Sequence, residues 1–165
     1  ILSLLILLTV MTFYVSCRKD DPDKSTEEET QLNKLKGEWT LVTANDGQDR
    51  TSDFFTSSTD TPASAPLKLS VTGNYVEGGT YNYEFTGRRP DPSPWPGDGI
   101  WKFGTNKGEE IIRDPGGDSE ILMNYQVTDS DLIITFDIPD GSAGWEGGVS
   151  RVKSVTGHWT FTFNK

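Results

Sequence analysis

The stretch TEEETQLNKLKGEWTLVTANDG, residues 26–47, sets a short helix directly against a strand. Thr26 followed by Glu29 makes a capping-box pattern, acids crowd the first turn, and Lys34 and Lys36 fall in the last. Gly37 supplies the stop. Leu32 and Leu35 give this helix one small apolar face. From Gly37 to Ala44 the pattern turns to strand, closed by the turn signal Asn45-Asp46-Gly47.

Downstream, strands are expected near Leu67–Val71, Thr80–Phe85, Gly99–Phe103, Glu109–Arg113, Ile121–Val127, Leu132–Ile138 and Gly157–Phe163, making eight with the first. Tyr81, Tyr83 and Phe85 share one face against Asn82 and Glu84. Trp159, Phe161 and Phe163 likewise oppose His158, Thr160 and Thr162. Seventeen Gly, nine Pro and abundant Thr and aromatics favour β structure over helix. Eight short antiparallel strands suffice to close a small up-and-down barrel and hide its edges. The fold class is therefore all-β, an eight-stranded antiparallel barrel behind a short N-terminal helix, with a β-sandwich as the alternative.

A helical turn running into Gly37-x-Trp39 on the first strand resembles the opening of lipocalin-like (calycin) proteins. The resemblance implies that Gly37 lets the helix pack closely and that Trp39 plugs the closed end of the barrel. It also implies that a basic side chain of the last strand covers the indole, Lys165 here with Arg151 as the fallback. The layout of residues 30–165, including the closing strand Gly157–Phe163, is similar to that of lipocalin-like lipoproteins of the Bacteroidota. It departs from true lipocalins in lacking a cysteine pair and in keeping only a stub, Thr128-Asp129, of their second motif.

Upstream, residues 1–16 carry no charge. A run of about 15 apolar residues is short for a bilayer, which needs roughly 20, and suits a signal-peptide core that the sequence enters partway. Val15-Ser16-Cys17 resembles a bacterial lipobox, with Tyr14 where Leu is usual. That resemblance makes Cys17 a lipidated first residue, with palmitate-type acyl chains as the anchor at about 0.8 kcal/mol per buried CH₂. Residues 17–30 then read as a lipidated, flexible, charged tether, and residues 31–165 as the barrel domain. The Arg18-Lys19-Asp20-Asp21 tract after the cysteine is similar to signals that send lipoproteins to the outer face of the outer membrane. Outer-membrane anchoring with cell-surface exposure is the expectation, a periplasm-facing tether the alternative.

The formal charge of −10 falls wholly after residue 16. Scattered Lys and Arg form no basic stripe, which argues against nucleic acid as a partner. Anionic lipid would repel such a chain, leaving membrane contact to Cys17 alone. A monomer is expected.

Chemistry-bearing groups are few, and the chain reads as a non-enzyme without cofactor or metal. His158 is the one histidine, and a lone strand histidine is a weak base candidate. No Gly-x-Ser-x-Gly or glycine-rich phosphate loop occurs. A hydrolase using Glu109 or Glu110 with Glu120 is the remote alternative. Asp114, Asp118 and Glu120 around Gly116-Gly117, or Asp137 and Asp140 with Gly141, offer oxygen ligands without calcium-loop spacing. Turn chemistry accounts for both stretches.

Aromatic residues carry the binding expectation. Phe54 and Phe55 lie in the long loop 48–66, Trp95 lies among four prolines in loop 87–98, and Trp145 lies among glycines in loop 139–150. With Tyr75, Tyr81, Tyr83 and Trp101 they are candidates to surround a barrel mouth. They suit a small apolar or amphipathic molecule held in the barrel, or a glycan stacked on exposed loop aromatics. The competing reading is that most of them fill the core.

Overall fold

The computed structural model describes residues 25–55, 65–95, 97–139 and 155–165. Cys17, the apolar run, Trp145, Arg151, Asp140 and Gly141 lie outside them.

Helix α1 (Glu27–Leu35) starts at Thr26, whose hydroxyl accepts a hydrogen bond from the Glu29 amide at 3.1 Å. It stops at Lys36, whose amide still donates to the Leu32 carbonyl at 2.9 Å. Gly37 follows at φ +121°, an angle that side chains resist. A Cβ added there would meet nothing closer than Lys165 Cε at 3.7 Å, an ordinary contact. The glycine is thus required by its backbone angle, not by close helix packing as the resemblance implied.

Eight strands follow: β1 (Gly37–Asn45), β2 (Lys68–Thr72), β3 (Tyr81–Thr86), β4 (Gly99–Phe103), β5 (Glu110–Arg113), β6 (Ile121–Val127), β7 (Asp131–Ile138) and β8 (Gly157–Asn164). Each pairs antiparallel with the next, and β1 also pairs with β8, so the sheet closes into a barrel. Closure leaves no edge strand to protect, which settles barrel over sandwich.

Alternation sets the inside of the barrel. Tyr81, Tyr83 and Phe85 of β3 are buried between exposed Asn82 and Glu84. Met123 and Tyr125 of β6, Ile134 and Phe136 of β7, and Phe161 and Phe163 of β8 repeat the pattern. Strand β1 breaks it: Leu41 pairs with Phe163 and Thr43 with Thr162, so Val42 is an extra residue. This bulge leaves Val42 and Thr43 both exposed and turns Ala44 inward.

The strand directions give the barrel two ends. At the helix end lie α1 and the connections after β2, β4 and β6. At the opposite end, the mouth, β1, β3, β5 and β7 finish, and a 3₁₀ turn (Thr51–Phe54) follows β1.

The helix end is locked from both sides. The Trp39 indole is fully buried and donates to the Leu35 carbonyl at 2.7 Å. Lys165 Nζ stands 4.4 Å over the same ring and donates to the Lys34 carbonyl at 3.1 Å. Glu28 is also buried: one oxygen accepts from the Gly78 amide at 3.2 Å, the other meets Lys107 Nζ at 2.6 Å. Residues 27–30, assigned above to the tether, therefore belong to the folded unit. Their charge suggested solvation, but Lys107, 79 positions away, neutralises the buried carboxylate.

Candidate functional site

At the mouth the closing groups come from loops. Trp95, in the connection between β3 and β4, folds back into the barrel and is only 3 % exposed. Its ring meets Phe85 edge-on at 4.9 Å, Phe136 at 5.5 Å and Phe161 at 5.7 Å. T-shaped contacts of this kind stabilise beyond their buried area by about 0.5–1.5 kcal/mol each. Phe54, carried by the 3₁₀ turn, fills the adjoining space against Phe161 at 5.3 Å.

Arg113, at the mouth end of β5, is 1 % exposed and shares the inward face of its strand with Ile111. The guanidinium lies 5.5 Å from the Trp95 ring and 5.7 Å from that of Phe136. Nη1 donates to the Pro94 carbonyl at 3.1 Å, Nη2 to the Ser119 carbonyl at 3.5 Å, and Nε lies 3.4 Å from an Asp114 oxygen. Burial draws its pKa down, while Tyr83 and Asp114 favour the charged form. An arginine stays charged under either influence.

Asp114 is held in turn by the Tyr83 hydroxyl at 3.0 Å and the Ser119 hydroxyl at 3.1 Å. Burial first, and the Asp114 charge second, push the Tyr83 pKa well above its usual value, so the phenol remains a donor.

Beneath Trp95 the barrel retains a cavity of about 20 Å³, walled by Tyr83, Trp95, Trp101, Arg113, Met123 and Leu132 among others. Such a space holds roughly one water molecule. The indole N–H groups of Trp95 and Trp101 are buried and close no well-formed hydrogen bond among the described residues, although that of Trp95 is near enough to the Tyr83 oxygen to act against the rise of its pKa. A shallow cleft of about 220 Å³ lies outside the plug, between Arg50, Asp53, Arg88 and Asp91, over Trp159.

The candidates do not share one place. Trp95, a candidate either for an exposed loop indole or for the core, is a buried plug, because its ring completes the aromatic packing between β3, β7 and β8. Phe54 is buried beside it, and half-buried Phe55 bridges to Pro66. Tyr83 and Trp101 line the cavity. Tyr75 and Tyr81 lie instead at the helix end, where the Tyr81 hydroxyl donates to the Val76 carbonyl at 3.1 Å.

The imagined carboxylate pair is separated by topology. Glu109 and Glu110 stand at the helix end of β5, while Glu120 precedes β6 at the mouth. Asp114 is committed to Tyr83, Ser119 and Arg113, and Glu120 accepts from the Gly116 amide. Among the described residues no three His, Cys, Asp or Glu gather as a metal site. His158 is exposed on the outer wall, its Nδ1 2.9 Å from an Asp137 oxygen. Sequence reasoning missed Arg113, although alternation from Ile111 was enough to turn it inward.

No protein-family model matches the chain, and neither a curated protein nor a solved structure shows significant similarity to it. Among the described residues, no helix is long and apolar enough to cross a membrane.

Proposed function

We propose that this is a non-enzymatic lipoprotein, anchored to the outer membrane through lipidated Cys17, whose barrel takes in a small apolar or amphipathic molecule in exchange for the indole of Trp95. One observation carries the reading: the side chain that fills the mouth belongs to a connecting loop, not to a strand. Withdrawing a strand aromatic would break the ladder of β hydrogen bonds. Withdrawing Trp95 breaks ring contacts, the Pro94–Arg113 bond and the loop's own turns. It would enlarge the 20 Å³ cavity by the volume of an indole. The surrounding wall of Phe85, Phe136 and Phe161 suits an apolar guest.

The neutral dye N-phenyl-1-naphthylamine tests the exchange by its fluorescence. Saturable binding at one site is expected, about tenfold tighter in Trp95→Ala because the competing indole is gone, with the near-ultraviolet circular dichroism of a packed barrel retained. Absence of a dye response in both proteins would contradict the reading.

A further inference from the structure

The loop that supplies the plug also supplies an acceptor to the buried cation. Arg113 Nη1 donates to the carbonyl of Pro94, and the next residue is Trp95. Only the amide nitrogen, Cα and Cβ of Trp95 separate that carbonyl carbon from the indole ring. Any withdrawal of Trp95 therefore uncovers apolar volume and removes a hydrogen-bond acceptor from a guanidinium that is 1 % exposed. A buried charge that loses a partner is costly, so the incoming molecule must replace both parts of the plug.

A second observation points the same way. Trp101 pairs directly opposite Arg113 in the β4–β5 register and lines the same cavity. Its indole N–H is buried without an acceptor among the described residues. Farther out, Arg89 stands 5.7 Å over the Phe85 ring that Trp95 also touches. Asp114 is an opposing charge beside Arg113, and its oxygens are already shared among Tyr83, Ser119 and Arg113 Nε. The Trp101 N–H is thus a donor beside the cavity that an acceptor-bearing guest can engage.

We infer that the barrel's ligand is an organic carboxylate: a flat apolar body joined by a short linker to a carboxyl group, the body taking the place of the Trp95 ring and the carboxylate that of the Pro94 carbonyl on Arg113. This rests on the exchange proposed above and adds the chemical class of the guest. Trp95 and Pro94 are themselves the template, since the plug is an acyl group linked through a short chain to an indole. Charge-assisted hydrogen bonds give the carboxylate its advantage over a neutral amide of the same shape.

Indole-3-butyrate and its neutral amide, indole-3-butyramide, reproduce that linker and differ only in charge. Isothermal titration calorimetry on the wild type and on Trp95→Ala, where the shortened plug leaves Arg113 at less cost, is expected to show the acid bound about tenfold or more tightly than the amide in both. Arg113→Gln is expected to erase the preference. Equal binding of acid and amide by Trp95→Ala would overturn the carboxylate inference while leaving the exchange standing. Failure of both compounds to bind either protein would overturn the two together. The acid–amide ratio in Trp95→Ala decides the matter even if Arg113→Gln does not fold.

Discussion

The two ends of this barrel are each closed by a tryptophan, and the closures differ in kind. Trp39 belongs to strand β1, gives its N–H to the Leu35 carbonyl and lies under Lys165. Trp95 belongs to a loop, closes no well-formed hydrogen bond through its N–H among the described residues and leans on a buried arginine. Polar satisfaction and continuity with the sheet make the first a structural lock. Attachment to a loop makes the second a plug that, on the proposed reading, a guest replaces. Low local stability is what a binding region requires, and the proposed exchange places it at the mouth alone.

The largest expected contrast is in stability. Trp39→Ala should cost about 3–5 kcal/mol in denaturant unfolding, because the site cannot collapse around its own strand. Trp95→Ala should cost less, about 2 kcal/mol, because its loop can relax over the mouth. Equal losses at the two ends would break the comparison.

A smaller effect sharpens the description of the helix end. Lys165→Met keeps the stem over the Trp39 ring but removes the ammonium. A loss of about 0.5–1 kcal/mol is expected from the same unfolding measurement.

The smallest effect concerns alkaline pH. Burial raises the folded pKa of Tyr83 above the ordinary tyrosine value of about 10. Its contribution is therefore fully present below about pH 10, where both states keep the proton, and is lost as pH rises toward the folded value. Tyr83→Phe should flatten the decline of stability above about pH 10. An unchanged alkaline slope would show that the phenol is not sequestered as described.

Much of the fold was legible because the strands alternate. The inward Tyr81, Tyr83 and Phe85 and the inward Trp159, Phe161 and Phe163 follow from period two alone. The Val42 bulge was not legible, since an extra residue in one strand is fixed by its partner β8. The burial of Trp95 was left open for a physical reason. Four prolines indicate a stiff loop but not the direction it takes, and the indole's burial depends on aromatics from β3, β7 and β8. Glu28 misled, since its neutralising lysine lies on a distant turn.

The difference between lock and plug is read most directly from the exchange of the tryptophan indole N–H protons with solvent, resolved by NMR on protein labelled with ¹⁵N-tryptophan. The Trp95 proton should exchange at least about a hundredfold faster than that of Trp39, because local opening of the mouth exposes the one and only global unfolding exposes the other. Equal protection of the two would contradict the account, since Trp95 would then be as much a part of the rigid core as Trp39.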